Sequence, residues 1–429
     1  MHPTLRNHSI FAALHQLSFR RLWAASLASC MAMAAHETAA RWLLSKLEAP
    51  ALLISLASSL AVLPFFLFTF PAGFLADLVD RPRLLRLINV WLTTVAGALA
   101  ILGFLGKLTG GTVLLGTFGL GIGFAFNAPV WAALLTDLVP CERLASAATL
   151  GALQLNLSSL LGPLLGGFLL AAINPNLVFA LNAVGFLAVA IALPTSSHAP
   201  AAKPFNPRRL VRSLTKVVRY VCSSPPLRIV LARNGFFALF VSAIPALLPV
   251  IALRDLHLEA ARLGLLFTLM STGSVAASLF LSGWAQRRFS SNRIVLGGNI
   301  LLALIYLGAA WGEFAPSYWF LLPLAGAAWT LSASELWAAA QRTIRPWASG
   351  RVNGAVIMLS QGAMAAGGMI WGLLAHTYGT RPTLATVAAL FVAYLALTAQ
   401  RDGPFGDRHP RSSPEPGPLH PPLCPTGNG

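Results

Sequence analysis

The sequence predicts an all-α membrane protein of twelve transmembrane helices arranged as two six-helix, pseudo-symmetric halves. Three observations carry that prediction. First, 56% of the 429 residues are hydrophobic and only 10% are charged, against about 25% charged in soluble domains. A mean hydropathy of +0.70 points the same way, because a soluble core of this size cannot bury so much apolar surface. Second, twelve apolar runs of roughly 20 residues follow one another, the length needed to cross a bilayer as a helix. None shows the ten-residue alternation of a barrel, so each satisfies its own backbone as a helix. Third, stretches in the first six runs have faint counterparts in the last six.

In order, the first six spans are 22–44, 51–74, 84–105, 112–136, 147–172 and 175–194. Span one opens in "FRRLWAASLASCMAMAA" (19–35), whose basic start, apolar stretch and small residues resemble a signal peptide. With eleven further apolar runs behind it, an uncleaved first span is expected. Residues 195–229 join the halves. They open as a Pro- and Ser-rich linker and continue as "NPRRLVRSLTKVVRYV". There Asn206 can cap and Pro207 suits the first helical turn. Leu210, Leu214, Val217 and Val221 form an apolar stripe beside Arg208, Arg209, Arg212, Lys216 and Arg219. This reads as an amphipathic helix on the inner leaflet with its cations on anionic lipid. The remaining spans are 230–252, 262–284, 294–312, 317–340, 353–375 and 382–399. Residues 400–429 are rich in Pro, Gly and Arg and are expected to be disordered. The domain reading is therefore 1–194, 195–229, 230–399 and 400–429.

Charge sets the direction. Of the 30 Lys and Arg residues, five (Lys46, Lys107, Arg254, Arg262 and Arg381) fall on or beside the odd connections, and Arg41 lies inside span one. The other 24 sit in the termini and the even connections, which by the positive-inside rule places both termini in the cytoplasm. The basic residues are dispersed between apolar runs rather than gathered on a soluble face, so nucleic acid is not an expected partner. Cys30, Cys141, Cys222 and Cys424 form no CxxC pair, and neither a disulfide framework nor a metal site is expected.

Between spans two and three lies "AGFLADLVDRPRLLR" (72–86). Its Gly73 and Arg83 align with Gly283 and Arg293 of "GWAQRRFSSNR" at an offset of 210, with Arg287 opposite Asp77. Likewise "LGPLLGG" (161–167) is echoed by "GAMAAGG" (362–368). Six spans, a basic connector and six more give the parallel-repeat arrangement in which two halves enclose a midplane site.

On these motifs the chain resembles the major facilitator superfamily. Gly73, Asp77, Arg81 and Arg83 match that family's signature after span two, although Leu78 replaces the usual basic residue and Pro82 a commoner Gly or Arg. "FRRLW", "PAGFLADLVDRPRLL", "LTDLVPCERLASA", "GPLLGG" and "AAQRTIRPWASGRVNG" resemble the drug and siderophore exporter branch, the transmembrane secretion effectors. The likeness runs over roughly residues 15–400. It implies the major facilitator fold and a conformational latch. In it, Asp77 meets the start of span eleven, favoured there by the helix dipole, and Arg81 bridges to Asp137 at the end of span four. A turn that merely sets topology is the plainer reading of the same charges. The resemblance also implies a small-molecule exporter of the bacterial inner membrane, monomeric, driven by protons. A metabolite importer of the same fold and a non-transporting sensor or scaffold are the rivals. Drug–proton antiporters of the superfamily usually carry an Arg within span four; residues 112–136 hold none.

Ionisable groups inside spans are costly and are functional candidates. Span one holds His36, Glu37 and Arg41; Glu37 and Arg41, four apart, share a helix face. Either they line the cavity, with Glu37 or His36 exchanging protons, or they snorkel to the external headgroups. Glu335 in span ten is a second candidate coupling carboxylate, or a partner for Arg342. Asn127, Gln154, Gln341 and Gln361 are candidate cavity-lining residues; Asn156, Asn182, Asn234 and Asn299 are further single polar residues, each equally suited to an interhelical hydrogen bond. Trp42, Trp131, Trp329 and Trp371 could stack on a flat ligand or sit at the interface. No GxxxxGK[ST], GxSxG or HExxH occurs, so neither a nucleotide cofactor nor an enzymatic activity is expected.

Overall fold

The computed structural model describes residues 11–76, 78–194, 207–311, 317–345 and 349–398. The Pro-rich tail, the first part of the linker and Asp77 lie outside the described residues. Every described element is helical. The N-terminal half comprises α1 (Leu17–Lys46), α2 (Ala51–Ala76), α3 (Arg81–Phe104), α4 (Gly110–Leu138), α5 (Leu144–Ala172) and α6 (Pro175–Ala192). After α7 (Pro207–Ser223) the C-terminal half comprises α8 (Pro225–Asp255), α9 (Ala260–Arg288), α10 (Ser291–Trp311), α11 (Ser317–Thr343), α12 (Ser349–Tyr378) and α13 (Thr380–Thr398). The expected spans lie within these helices except at a few ends. Span seven starts five residues before the expected 230, because Pro225 and Pro226 suit a first helical turn and extend the helix through Arg228.

Among the described residues, ten helices are long and apolar enough to cross a membrane by length and composition. The two remaining spans are α1 and α11. Their shortfall has a chemical cause: α1 carries His36, Glu37 and Arg41, and α11 carries Glu335 and Arg342. Both helices are nevertheless packed on several sides, α1 against α5 and α6 and α11 against α9 and α10. His36 and Arg41 of α1 and Glu335 of α11 are buried in this packing.

The turns reflect local chemistry. Thr109 caps α4 reciprocally with Thr112, a capping box that occupies otherwise orphaned amides. Asn174 caps α6 in front of Pro175. Arg86 of α3 donates to the carbonyls of Ala190, Leu193 and Pro194, closing the C-terminus of α6. Glu48, Gly106, His257 and Gly379 all have positive φ, and all four lie on odd connections.

The helix α7 corrects one expectation. Val217 is buried, and Leu214, Tyr220 and Val221 pack on the core of the C-terminal half. The apolar stripe thus docks on α8 and α12 rather than on lipid. Arg212, Lys216 and Arg219 carry the opposite face, where Lys216 and Arg219 are exposed, and Tyr220 Oη accepts the backbone N–H of Arg345 at 3.3 Å.

The halves meet along two long antiparallel seams, α2 with α12 and α5 with α9, joined by contacts of α8 with α2. Sequence spacing explains how close these seams run. A Cβ on Gly264 would stand 2.2 Å from the Pro163 carbonyl oxygen, and one on Gly167 2.8 Å from that of Ala260. Along the other seam, Cβ atoms on Gly362, Gly368 and Gly372 would meet Phe66, Ser59 and Ser55 within 2.6 Å.

Candidate functional site

Two ends of one molecule differ in packing. At the end formed by the odd connections the seams are closed. Arg254 of α8 donates across the halves to the carbonyl of Ala49. Ser58 Oγ donates to Pro245 O at 2.7 Å, Thr268 Oγ1 to Leu160 O at 3.0 Å, and Ser271 Oγ to Ser159 O at 2.8 Å. The Arg41 guanidinium lies 5.3 Å from the Phe267 ring centroid. At the other end the same helices diverge. Among the described residues, Cβ atoms on Gly73, Gly151, Gly283, Gly350 and Gly354 would meet nothing within 4 Å, and α4 makes no extended contact with α11.

The charged turn lies at the open end. Arg81 Nη1 donates to both Asp137 oxygens, at 2.7 and 2.8 Å, and to Ala133 O at 3.1 Å. The pair fastens the start of α3 to the end of α4, wholly inside the N-terminal half. Arg83 pairs with Asp80 at 3.3 Å and is otherwise solvent-facing. Gly73 stands in open space. In this conformation, therefore, the ion pairs of Arg81 and Arg83 stay within the N-terminal half.

The α1 cluster splits in two directions. Glu37 Oε2 accepts from Arg41 Nη2 at 3.0 Å, with the carboxylate about a third exposed, and the guanidinium reaches the seam at Phe267. His36 is 1% exposed, its ring 4.5 Å from Phe179 of α6. Neither of its nitrogens has a partner among the described residues, and the same is true of Arg41 Nε. His36, Glu37, Arg41, Met33 and Thr117 line one small recess between α1, α2 and α4. Of the three, Glu37 is the group that reaches accessible space, and snorkelling does not describe a histidine so enclosed.

The remaining candidates separate. Gln154 donates to Ser26 Oγ at 2.9 Å and Cys30 Sγ at 3.2 Å, which places it in the α1–α5 seam and away from a cavity wall. Glu335 is 1% exposed within the C-terminal half. Its suggested partner Arg342 instead donates to Ser291 Oγ at 3.1 Å. Gln341 donates to Asn353 Oδ1 at 2.8 Å, tying the end of α11 to the start of α12. Gln361 and Asn127 are half-buried, and Gln361 Oε1 is buried without a partner among the described residues. Asn156 is exposed, and Asn182 and Asn299 are buried. Trp371 is a core residue, donating to Leu239 O at 2.8 Å and stacked on Phe240. Trp42 lies beneath the Lys46 ammonium and lines a cavity of about 620 Å³ at the odd-connection end with Lys46, His257 and Glu259.

The seam hydroxyls Ser58, Thr268 and Ser271, and Arg254, were not legible as functional residues. Serine and threonine are common in spans, and only the facing helix reveals what they bond.

The family profile described as transmembrane secretion effector matches residues 8–421. The chain is 26% identical over 176 residues to macrolide efflux protein A of Streptococcus pyogenes, covering 41% of this chain and 44% of that protein. It is 29% identical over 217 residues to the enterobactin exporter EntS of Citrobacter koseri, covering 48% and 49%. These matches span about half the length of the curated relatives. Among solved structures, a bacterial homolog of the human lysosomal transporter Spinster, inward-facing and unoccupied, superposes with a TM-score of 0.71 at 14% identity, covering 91% of this chain and 97% of that one. A single-residue mutant of the nucleoside transporter NupG gives 0.71 at 12% identity over 89% and 98%. Likeness at such identities shows the fold. The profile covers nearly the whole chain, and this chain belongs to the transmembrane secretion effector family of the major facilitator superfamily.

Proposed function

We propose that the protein exports amphipathic small molecules, drug- or siderophore-like, from the cytoplasm across the bacterial inner membrane by proton antiport with alternating access. The carrying observation is the unequal packing of the two ends: one seam set is closed while its continuation stands open. The excess of Lys and Arg on the even connections supports a cytoplasmic open end, an inward-open state with both termini inside. The relatives named for macrolide and enterobactin efflux support outward transport. Protons as the coupling ion rest on Glu37, a carboxylate about a third exposed and paired with the Arg41 that reaches the seam. A monomer suffices, since both halves are in one chain.

The latch reading takes a defined form. Along α2 and α12 the facing pairs Phe66–Gly362, Ser59–Gly368 and Ser55–Gly372 follow one antiparallel register. Continued toward the cytoplasm, that register sets Gly354 opposite Gly73, and the first turn of α12 opposite the segment after Ala76. Closing the inner end would bring them together, with Arg81 and Asp137 bracing the N-terminal side. Both side chains of that pair are about a third exposed, so solvent screening limits it to about 0.2–1 kcal/mol. Arg81→Ala and Asp137→Asn should each shift the inward-to-outward ratio no more than about fivefold. The double variant should add little, since one contact is lost in all three. Cysteine labelling at the cytoplasmic half of α5 reads the shift; fully additive effects would dissolve the pairing.

The proposal as a whole is tested in energised everted vesicles with labelled macrolide and enterobactin as first probes. Accumulation in the lumen that a protonophore discharges is expected. Accumulation confined to right-side-out vesicles would make the protein an importer.

A further inference from the structure

Two of the hydrogen bonds that cross between the halves share an unusual acceptor. Proline has no N–H, so a proline inside a helix leaves the carbonyl four residues earlier without its helical partner. Pro163 in α5 frees the carbonyl of Ser159, and Pro249 in α8 frees that of Pro245. Ser271 Oγ of α9 donates to Ser159 O at 2.8 Å, and Ser58 Oγ of α2 donates to Pro245 O at 2.7 Å. Each freed carbonyl is thus occupied by a serine hydroxyl from the opposite half. The two serines are placed alike: α2 and α9 are the second helices of their halves, and each hydroxyl lies in the external half of its helix. About two turns along α9 from Ser271, Gly264 lets that helix come close to Pro163.

We infer that Ser58 and Ser271 are positioning residues of the transport cycle, hydroxyl plugs that hold the external end closed by occupying the carbonyls freed by Pro249 and Pro163. The physical logic is a matched pair. A serine that loses the bond when the halves separate leaves a carbonyl which its own helix cannot satisfy, and water has to replace it. The external end therefore opens with hydration of two defined carbonyls, and the two prolines set where closure is registered. Ordinary helix–helix packing would be indifferent to whether the facing carbonyl belongs to a proline-broken turn; this device depends on it. The inference rests on the two-state reading proposed above and adds the groups that weight one state.

A double-mutant cycle reads it directly. Spin labels at Leu47 and Tyr378, both exposed at the external ends of the two halves, report the separation of that end by pulsed electron paramagnetic resonance in an otherwise Cys-free protein. Ser271→Ala and Ser58→Ala should each raise the open-to-closed ratio about tenfold, which corresponds to about 1.4 kcal/mol. Ser271→Thr and Ser58→Thr, which keep the hydroxyl, should restore the parent ratio. In Pro163→Ala the helix regains an N–H for Ser159 O, so adding Ser271→Ala should change the ratio less than about twofold. Pro249→Ala should silence Ser58→Ala in the same way. An equal response to Ser271→Ala with Pro163 present or absent, or failure of both threonine variants to restore closure, would overturn the inference. If either proline variant does not yield monodisperse protein, the serine-to-alanine and serine-to-threonine contrast decides alone: equal ratios in both sink it. Serine variants without effect, while Gly264→Leu still opens the external end, would remove the plugs and leave alternating access standing. An external end that no variant moves would count against both.

Discussion

Gly264→Leu is expected to abolish net export while leaving a folded protein in the membrane. The Cβ it introduces stands 2.2 Å from the backbone oxygen of Pro163, and that backbone cannot yield as a flexible side chain would. Closing the external seam then requires α5 and α9 to separate. An overpacking strain of about 3 kcal/mol corresponds to about a hundredfold change in the equilibrium between ends. Cytoplasmic cysteines at the mouth should become protected and external ones exposed. Gly297→Leu is the matched control: it lies in α10, where a Cβ meets nothing within 4 Å, and it should export normally. Equal loss in both variants would show a folding defect instead of a seam.

Glu37→Gln carries the other large effect. Its carboxylate is held by Arg41 at 3.0 Å and is about a third exposed, at the place where α1 meets α9. An amide keeps the shape and cannot exchange a proton. Uphill accumulation in proteoliposomes should fall to that of empty vesicles, while downhill exchange of the same substrate persists. Glu335→Gln, in a carboxylate only 1% exposed, should instead lower stability more than coupling, because burying an altered polar group disturbs packing first. Unchanged uphill flux in Glu37→Gln would leave the Glu37–Arg41 pair as a brace for α1.

The sequence displayed its helices plainly because the bilayer imposes one length and one secondary structure on each apolar run. Even α1 and α11, with ionisable groups inside, kept enough flanking Leu, Ala and Val to be recognised. The charged turn was legible for the same reason, being charge in an apolar chain, whereas Asp137 as the partner of Arg81 came only from the family resemblance, and their role as a latch is a proposal. Direction within a helix was much less legible. Gln154 and Glu335 are one residue's rotation away from a different neighbour, and a span that is apolar on all sides does not say which face meets protein. The α7 stripe was visible, yet whether it docked on lipid or on α8 and α12 depended on a surface elsewhere in the chain. The hydroxyls of Ser58 and Ser271 were hidden because their acceptors are carbonyls left free by a proline on another helix.

Alternating access demands that the two ends move oppositely, and this can be measured without knowing the substrate. Spin labels at Leu47 and Tyr378 report the external end. A second pair at Glu142 and Arg288, exposed where α5 begins and α9 ends, reports the cytoplasmic end. The account predicts a short external and a long cytoplasmic distance in the parent protein, and the reverse in Gly264→Leu. Distances at the two ends that lengthen together, or a cytoplasmic pair that never shortens in any variant or under any proton gradient, would contradict it.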